Sequence, residues 1–196
     1  MRASRLFAVL LLAACPAASL PAQAAGKPAG VFLTQKEALE LAFPKAEIRR
    51  KTHFLTKEEL ALAKKLAGGA VPSALLYTYQ GWKEGRLLGT AYFDTHRVRT
   101  LPETLMVVVD PKGRIARLEV LAFHEPKDYL PRGAWYAQFR GHGLDKGLSL
   151  KKGIHGVTGA TLTSRAVTLA VRRVLALHQV LFPAPKAKPV PAASGT

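Results

Sequence analysis

The sequence predicts an α+β domain: an antiparallel β-meander flanked by helices, with a C-terminal amphipathic helix following a small-residue loop. Three observations carry this. Two capped helical patterns lead the chain, four β-rich stretches separated by turn residues follow, and a long apolar stripe at helical spacing comes last.

TQKEALELAF begins with Thr34 and has Glu37 three residues on, the capping-box arrangement that starts a helix. TKEELALAKKLAGG repeats it with Thr56 and Glu59 and stops at Gly68-Gly69. Leu60, Leu62, Ala63 and Leu66 are expected to form its buried stripe. The period then changes. ALLYTYQ (74–80), RLLGTAYF (86–93), TLMVVVD (104–110) and RIARLEVLAF (114–123) read as strands. Asp110-Pro111-Lys112-Gly113 is turn chemistry and makes a hairpin of the last two; Gln80 to Gly85, lengthened by Trp82, joins the first two.

HEPKDYLPRG is a loop punctuated by Pro126 and Pro131, and AWYAQF a short helix anchored by Trp135, Tyr136 and Phe139. Gly141 to Ala160 is a loop of twenty residues with six glycines, a length that marks function inside a small domain. In SRAVTLAVRRVLALHQVLF, residues Ala166, Val167, Ala170, Val171, Val174 and Leu177 recur at three- and four-residue spacing, the stripe of an amphipathic helix.

Residues 1–24 read as an export signal: Arg2 and Arg5, an apolar run from Leu6 to Ala14, then small residues. Cleavage after Ala24 and lipidation at Cys15 both fit, and either places the chain in the periplasm or another extracytoplasmic space. Residues 183–196 are Pro- and Ala-rich without periodicity, an expected mobile tail. The domain is therefore assigned to 30–182, with a helical part at 34–69 and a core at 74–182.

Cys15 is the lone cysteine of the 196 residues, so a processed chain would hold no disulfide, Cys-ligated metal or thiol nucleophile. HEPKD lacks the second histidine of a zinc-protease helix, and no metal site is expected. The net charge is +16. Its cations are scattered rather than gathered with aromatics into one strip, which argues against nucleic acid and leaves attraction to membrane surfaces open. His96, Arg97 and Arg99 are expected just beyond a strand, on a solvated edge or an anion-contacting loop.

The densest signal is GIHGVTGATLTSRAV (153–167), where hydroxyls and small residues meet the start of the last helix. Helix N-termini present free N–H groups and bind phosphate. Gly159 and Ala160 leave room for an anion, and Thr163 or Ser164 can cap the helix, with hydroxyls left over.

Thr158-Gly159-Ala160-Thr161-Leu162-Thr163-Ser164 resembles the flavinylation motif S/T-G-A-T-x-T-S of the FMN-binding domain family, which includes the periplasmic FMN subunits of the Rnf complex and of Na⁺-translocating NADH:quinone reductase. The resemblance implies FMN joined through its phosphate to Thr161 by a dedicated flavin transferase, and electron transfer with a membrane-bound redox partner. Upstream, the Asp110 to Gly113 turn, Glu125-Pro126 in HEPKDY and Phe139-Arg140-Gly141 match family features in order. Glu125 and Pro126 are thereby implied near the flavin ring. Two features depart: the HEPKDY segment lacks the family's Thr and Gly, and His155 stands where the family has Asp. A cofactor-less binding module on the same fold is the alternative that these departures favour.

Overall fold

A computed structural model of the chain describes residues 27–183. The expected signal, Cys15 and nearly all of the expected tail lie outside the described residues. Five antiparallel strands run in sequence order across one sheet: β1 (Glu47–Phe54), β2 (Leu75–Lys83), β3 (Arg86–Arg97), β4 (Pro102–Val109) and β5 (Ile115–Phe123). Helices α1 (Gln35–Ala42) and α2 (Lys57–Ala67) precede and follow β1; α3 (Gly133–Tyr136) and α4 (Thr161–Leu181) come after the sheet. The α+β meander with its C-terminal helix is as expected, with one strand more.

Both expected capping boxes form. The Thr34 and Thr56 hydroxyls accept from the N–H groups of Glu37 and Glu59, whose carboxylates accept in return from the threonine N–H groups. The stripe of α2 differs from expectation at one position. Ala63 and Ala67 are buried, with Leu60 and Leu66 beside them, whereas Leu62 sits a quarter-turn from Ala63 and is 48% exposed. Strand β2 also runs further than predicted, to Lys83. A bulge at Gly81/Trp82 absorbs the irregularity, and the turn contracts to Glu84-Gly85.

Alternation along the strands divides the core between two faces. Tyr92, Leu105, Val107, Val109 and Ile115 pack under α4 with Val167, Val171 and Val174. Ala91, Met106, Val108 and Leu121 face the other way, against Ala38 and Phe43 at α1. A third cluster, Leu55, Ala63, Val71 and Leu177, joins α2 to α4. Gly81 lies against Phe43, the C-cap of α1: a Cβ there would lie 2.4 Å from two atoms of its buried ring. Gly81→Ala is expected to destabilise the fold by about 1–3 kcal/mol through overpacking, measured as a lower urea midpoint.

Beneath α4 the sheet carries charge. Strand β3 continues through the segment expected to lie beyond it, so His96 points into the interior, and β3 is central, not an edge. His96 Nδ1 is 3.0 Å from Asp94 Oδ1, and its Nε2 is 3.2 Å from Glu103 Oε2, its cross-strand partner on β4. Arg173 of α4 grips Asp94 with two bonds of 2.7 Å. The Tyr136 hydroxyl of α3 faces Glu103, which is fully buried.

The two edges of the sheet are treated differently. Outside β5, the Phe32 and Leu33 N–H groups donate to Leu121 O, the Phe123 N–H donates to Gly30 O, and the Ile115 N–H donates to His142 O. Outside β1, no described residue pairs with the strand.

Candidate functional site

The hydroxyls of the TGATLTS segment divide into those turned inward and those turned outward. Helix α4 starts at Thr161, two residues before the expected caps. Its N-cap is Ala160, which has no side chain able to cap. Thr163 is buried, and its hydroxyl donates to Tyr129 O at 2.6 Å. Ser164 is buried too, its hydroxyl donating back to Ala160 O at 3.0 Å. Neither caps the helix, because both already lie inside its first turn. Thr161 is exposed, and its hydroxyl reaches only Val157 O at 3.5 Å, the outer limit of a hydrogen bond. Thr158 and Leu162 are exposed as well.

The backbone at this end is open in the same way. The first helical bond runs from the Ser164 N–H to Ala160 O. Among the described residues no acceptor is bonded to the N–H groups of Thr161, Leu162 or Thr163. Gly159 makes the approach with φ of +84° and open space where a Cβ would be. Another residue there would be strained by about 1–2 kcal/mol. The result is an exposed hydroxyl on a helix end with free donors and partial positive charge, a donor set that fits a phosphate ester.

The loop that delivers Thr161 is pinned from behind. Leu148 and Ile154 are buried in the core beneath α4. The Trp135 indole N–H donates to His155 O at 2.6 Å, and Gln138 Oε1 accepts from the His155 N–H at 2.9 Å. The residue at the departing family position is thus held by its backbone, with its side chain exposed. Arg172 of α4 donates to the carbonyls of Asp145, Leu148 and Ala67, tying the loop and the end of α2 to one helix.

Glu125 and Pro126 occupy a neighbouring loop but do different things. Glu125 Oε1 accepts from the N–H groups of Thr100 (2.7 Å), Leu101 (2.8 Å) and Arg99 (3.1 Å). Those bonds, from Leu101 and Thr100 above all, hold the carboxyl below the usual carboxylate range. Glu125 therefore organises the β3–β4 turn. Pro126 is exposed and precedes a single 3-10 turn, Lys127–Tyr129, whose last carbonyl is the one that Thr163 bonds. Arg99 lies over the Tyr129 ring at 5.0 Å. Sequence reasoning had no signal for the Thr163–Tyr129 link, which joins the HEPKDY segment to the threonine motif.

Beyond Tyr129, a cleft of about 520 Å³ opens along the uncovered middle of β5, lined by Ala116 to Val120, Leu130, Pro131 and Tyr136. Tyr92, Trp135 and Tyr136, the aromatics considered for ring stacking, are all core residues, and Tyr136 alone of them also lines this cleft. Thr163→Ala removes the bond that holds the cleft's rim to α4 and leaves a carbonyl unsatisfied. A loss of about 1–3 kcal/mol is expected, read in a urea titration, together with faster hydrogen exchange at 127–131.

A search of curated proteins finds no match to the chain. The model of the FMN-binding domain matches residues 101–176, a span that takes in β4, β5, the HEPKDY loop, the threonine motif and most of α4. That stretch of the chain is an FMN-binding domain, and the protein carries it as a flavin-binding module.

Proposed function

We propose that the protein is an exported electron carrier with FMN joined covalently to Thr161. The observation that carries this is the division of the hydroxyls: within a matched FMN-binding domain, Thr163 and Ser164 are bonded inside the fold, and Thr161 stands exposed on an uncapped helix end. In the linkage, the Thr161 hydroxyl would attack the phosphorus of an activated FMN donor such as a flavin dinucleotide. The P–O bond to the donor's nucleotide leaving group would break, that group would carry off the hydroxyl proton, and Oγ1 would become the bridging oxygen of a phosphodiester to FMN. A flavin transferase makes the bond. The remaining negative charge lies at the helix end, which favours it by about 0.3–1 kcal/mol. FMN, when bound, supplies one- and two-electron transfer. The free N–H groups of Thr161 to Thr163 would hold the phosphate, and Gly159 would keep bulk away from it. Attachment keeps the site filled outside the cytoplasm, where dissociated FMN is not readily recovered. The redox partner is membrane-bound, and the positive net charge draws the carrier to that surface.

The alternative, a binding module that kept the fold and lost the cofactor, is favoured by His155. Intact-mass measurement of protein exported in cells with an active flavin transferase separates the two. A mass higher by FMN less one water supports the carrier. A bare mass in the native protein with loading only in His155→Asp supports the module, since that change leaves both backbone bonds of the residue in place.

A further inference from the structure

The bare edge of the sheet is built to accept a strand of opposite charge. Strand β1 is eight residues long, pairs with β2 through an unbroken register from Glu47↔Trp82 to Phe54↔Leu75, and contains no bulge, glycine or proline. Nothing described covers its outer side, whereas β5 is covered at both ends by other parts of the chain. Its side chains are cationic on both faces of the sheet: Arg50 on one, Arg49 and Lys51 on the other. Glu47 neutralises Arg49 through two bonds. Among the described residues Arg50 and Lys51 have no acidic partner, and β2 beside them carries no acidic residue. Two of the cations are pre-positioned on aromatic rings, Arg50 over Tyr77 at 4.2 Å and Arg49 over Trp82 at 4.9 Å. At the end of the strand Phe54 is 78% exposed, beside the exposed Leu75 and Tyr77.

Charge on an edge deters pairing with a second copy of the same strand, and Arg50 and Lys51 do that here. It gives no reason for an aromatic ring left in water at the end of that edge. The C-terminal residues of this chain are unsuited to the place, since 183–196 carry four prolines and two lysines and no acidic residue. A bilayer would meet the cations and Phe54 but has no use for a row of free backbone donors and acceptors.

We propose that β1 is a docking edge for an extended acidic segment of another protein, added as a sixth strand with Phe54, Leu75 and Tyr77 as its apolar anchor. Backbone bonds supply the affinity and alternate side chains the selection, as in other strand-addition complexes. The assignment is independent of the flavin reading and is testable on protein without cofactor.

The probe is a labelled peptide of alternating Glu and Val, matched in length to the eight residues of β1. Its control carries the same glutamates with Pro in place of Val and so cannot form a ladder. Expected are binding of the Glu/Val peptide alone, weakening with salt, slower hydrogen exchange across Ile48 to Phe54, and affinity about tenfold lower in the double variant Arg50→Glu/Lys51→Glu, which reverses the charge on both faces of the strand. Both residues are exposed, so folding should survive, and a far-ultraviolet dichroism spectrum checks it. Equal binding of the two peptides without protection of β1 would reduce the edge to a diffuse charge and overturn the proposal. So would binding of phosphatidylglycerol vesicles through these residues with no binding of the peptide, which would assign the edge to a bilayer. No binding of either probe would also overturn it.

Discussion

Thr161→Ala is expected to abolish covalent flavin loading while leaving the fold intact. The reason lies in how little the side chain does for the protein itself. Its hydroxyl makes one long contact to Val157 O, it is exposed, and the helix it begins is held by residues further along. Alanine is a good helix former, so the change costs the helix nothing. Loss of the hydroxyl oxygen removes the atom proposed to bridge to phosphorus. The checks are absence of fluorescence on a denaturing gel and a mass equal to that of the processed polypeptide, alongside an unchanged urea midpoint. A variant that stays yellow and fluorescent after denaturation would move the linkage to another residue. Thr158 is the other exposed hydroxyl of the motif, so Thr158→Ala is the paired control and is expected to load.

Asp94→Ala is expected to destabilise the protein by about 3–5 kcal/mol, the cost of leaving buried charge without its partner. Asp94 sits between two cationic groups, Arg173 and His96, and is largely shielded from water. Burial alone would raise its pKa. The bonds from His96 and Arg173 outweigh that and hold the carboxyl below the usual range. For His96, burial would lower the pKa, but Asp94 on its own strand and Glu103 on β4 overcome this and hold it at about 9. Burial moves the Glu103 carboxyl upward. Arg173 from α4 and Tyr136 from α3 complete the groups facing this cluster.

The sign of the pH dependence follows. A protonated His96 contributes stability that is fully present below its ordinary value of 6.5 and is lost as pH rises through about 9. Glu103 acts in the same sense: ionising it costs the folded state more, so stability falls as pH climbs from its ordinary 4.5 through the raised value. Asp94 has the opposite sign. Its contribution is present above 3.8 and disappears as pH falls through its lowered value. Urea midpoints taken from about pH 5 to about pH 10 should therefore decline on the alkaline side. His96→Gln should flatten that decline, and a decline of the same size in His96→Gln would place its origin elsewhere.

Much of the architecture was legible because its signals are local. Thr34 with Glu37, Thr56 with Glu59, and the Asp110 to Gly113 turn each contain their own explanation within a few residues. Strand β1 was not legible. EIRRKTHF has only Ile48 and His53 partly buried, so it lacks the apolar alternation that announces a strand and is held by pairing with β2. The motif drew attention to the threonine segment, but counting hydroxyls cannot tell which ones turn inward. That depends on Tyr129, thirty-four residues upstream of Thr163. The bonds of Glu125 to the N–H groups of Arg99 to Leu101 were not legible, because backbone partners leave no trace in side-chain patterns. His96 looked like a surface residue because its pairing with Glu103 is a matter of register.

The grip of Arg173 on Asp94, and of Arg172 on Ala67, bears on where this module begins and ends. Residues 101–176 hold the recognisable signature, yet they contain two of the five strands, and Asp94 and Ala67 both lie before them. Excised alone, that stretch would cut the sheet between β3 and β4 and strip the carboxylate from the partly buried Arg173 guanidinium. The matched span is thus smaller than the packed unit around it, and a fragment meant to keep the surroundings of Thr161 must bring β1 to β3 and α2 along with it.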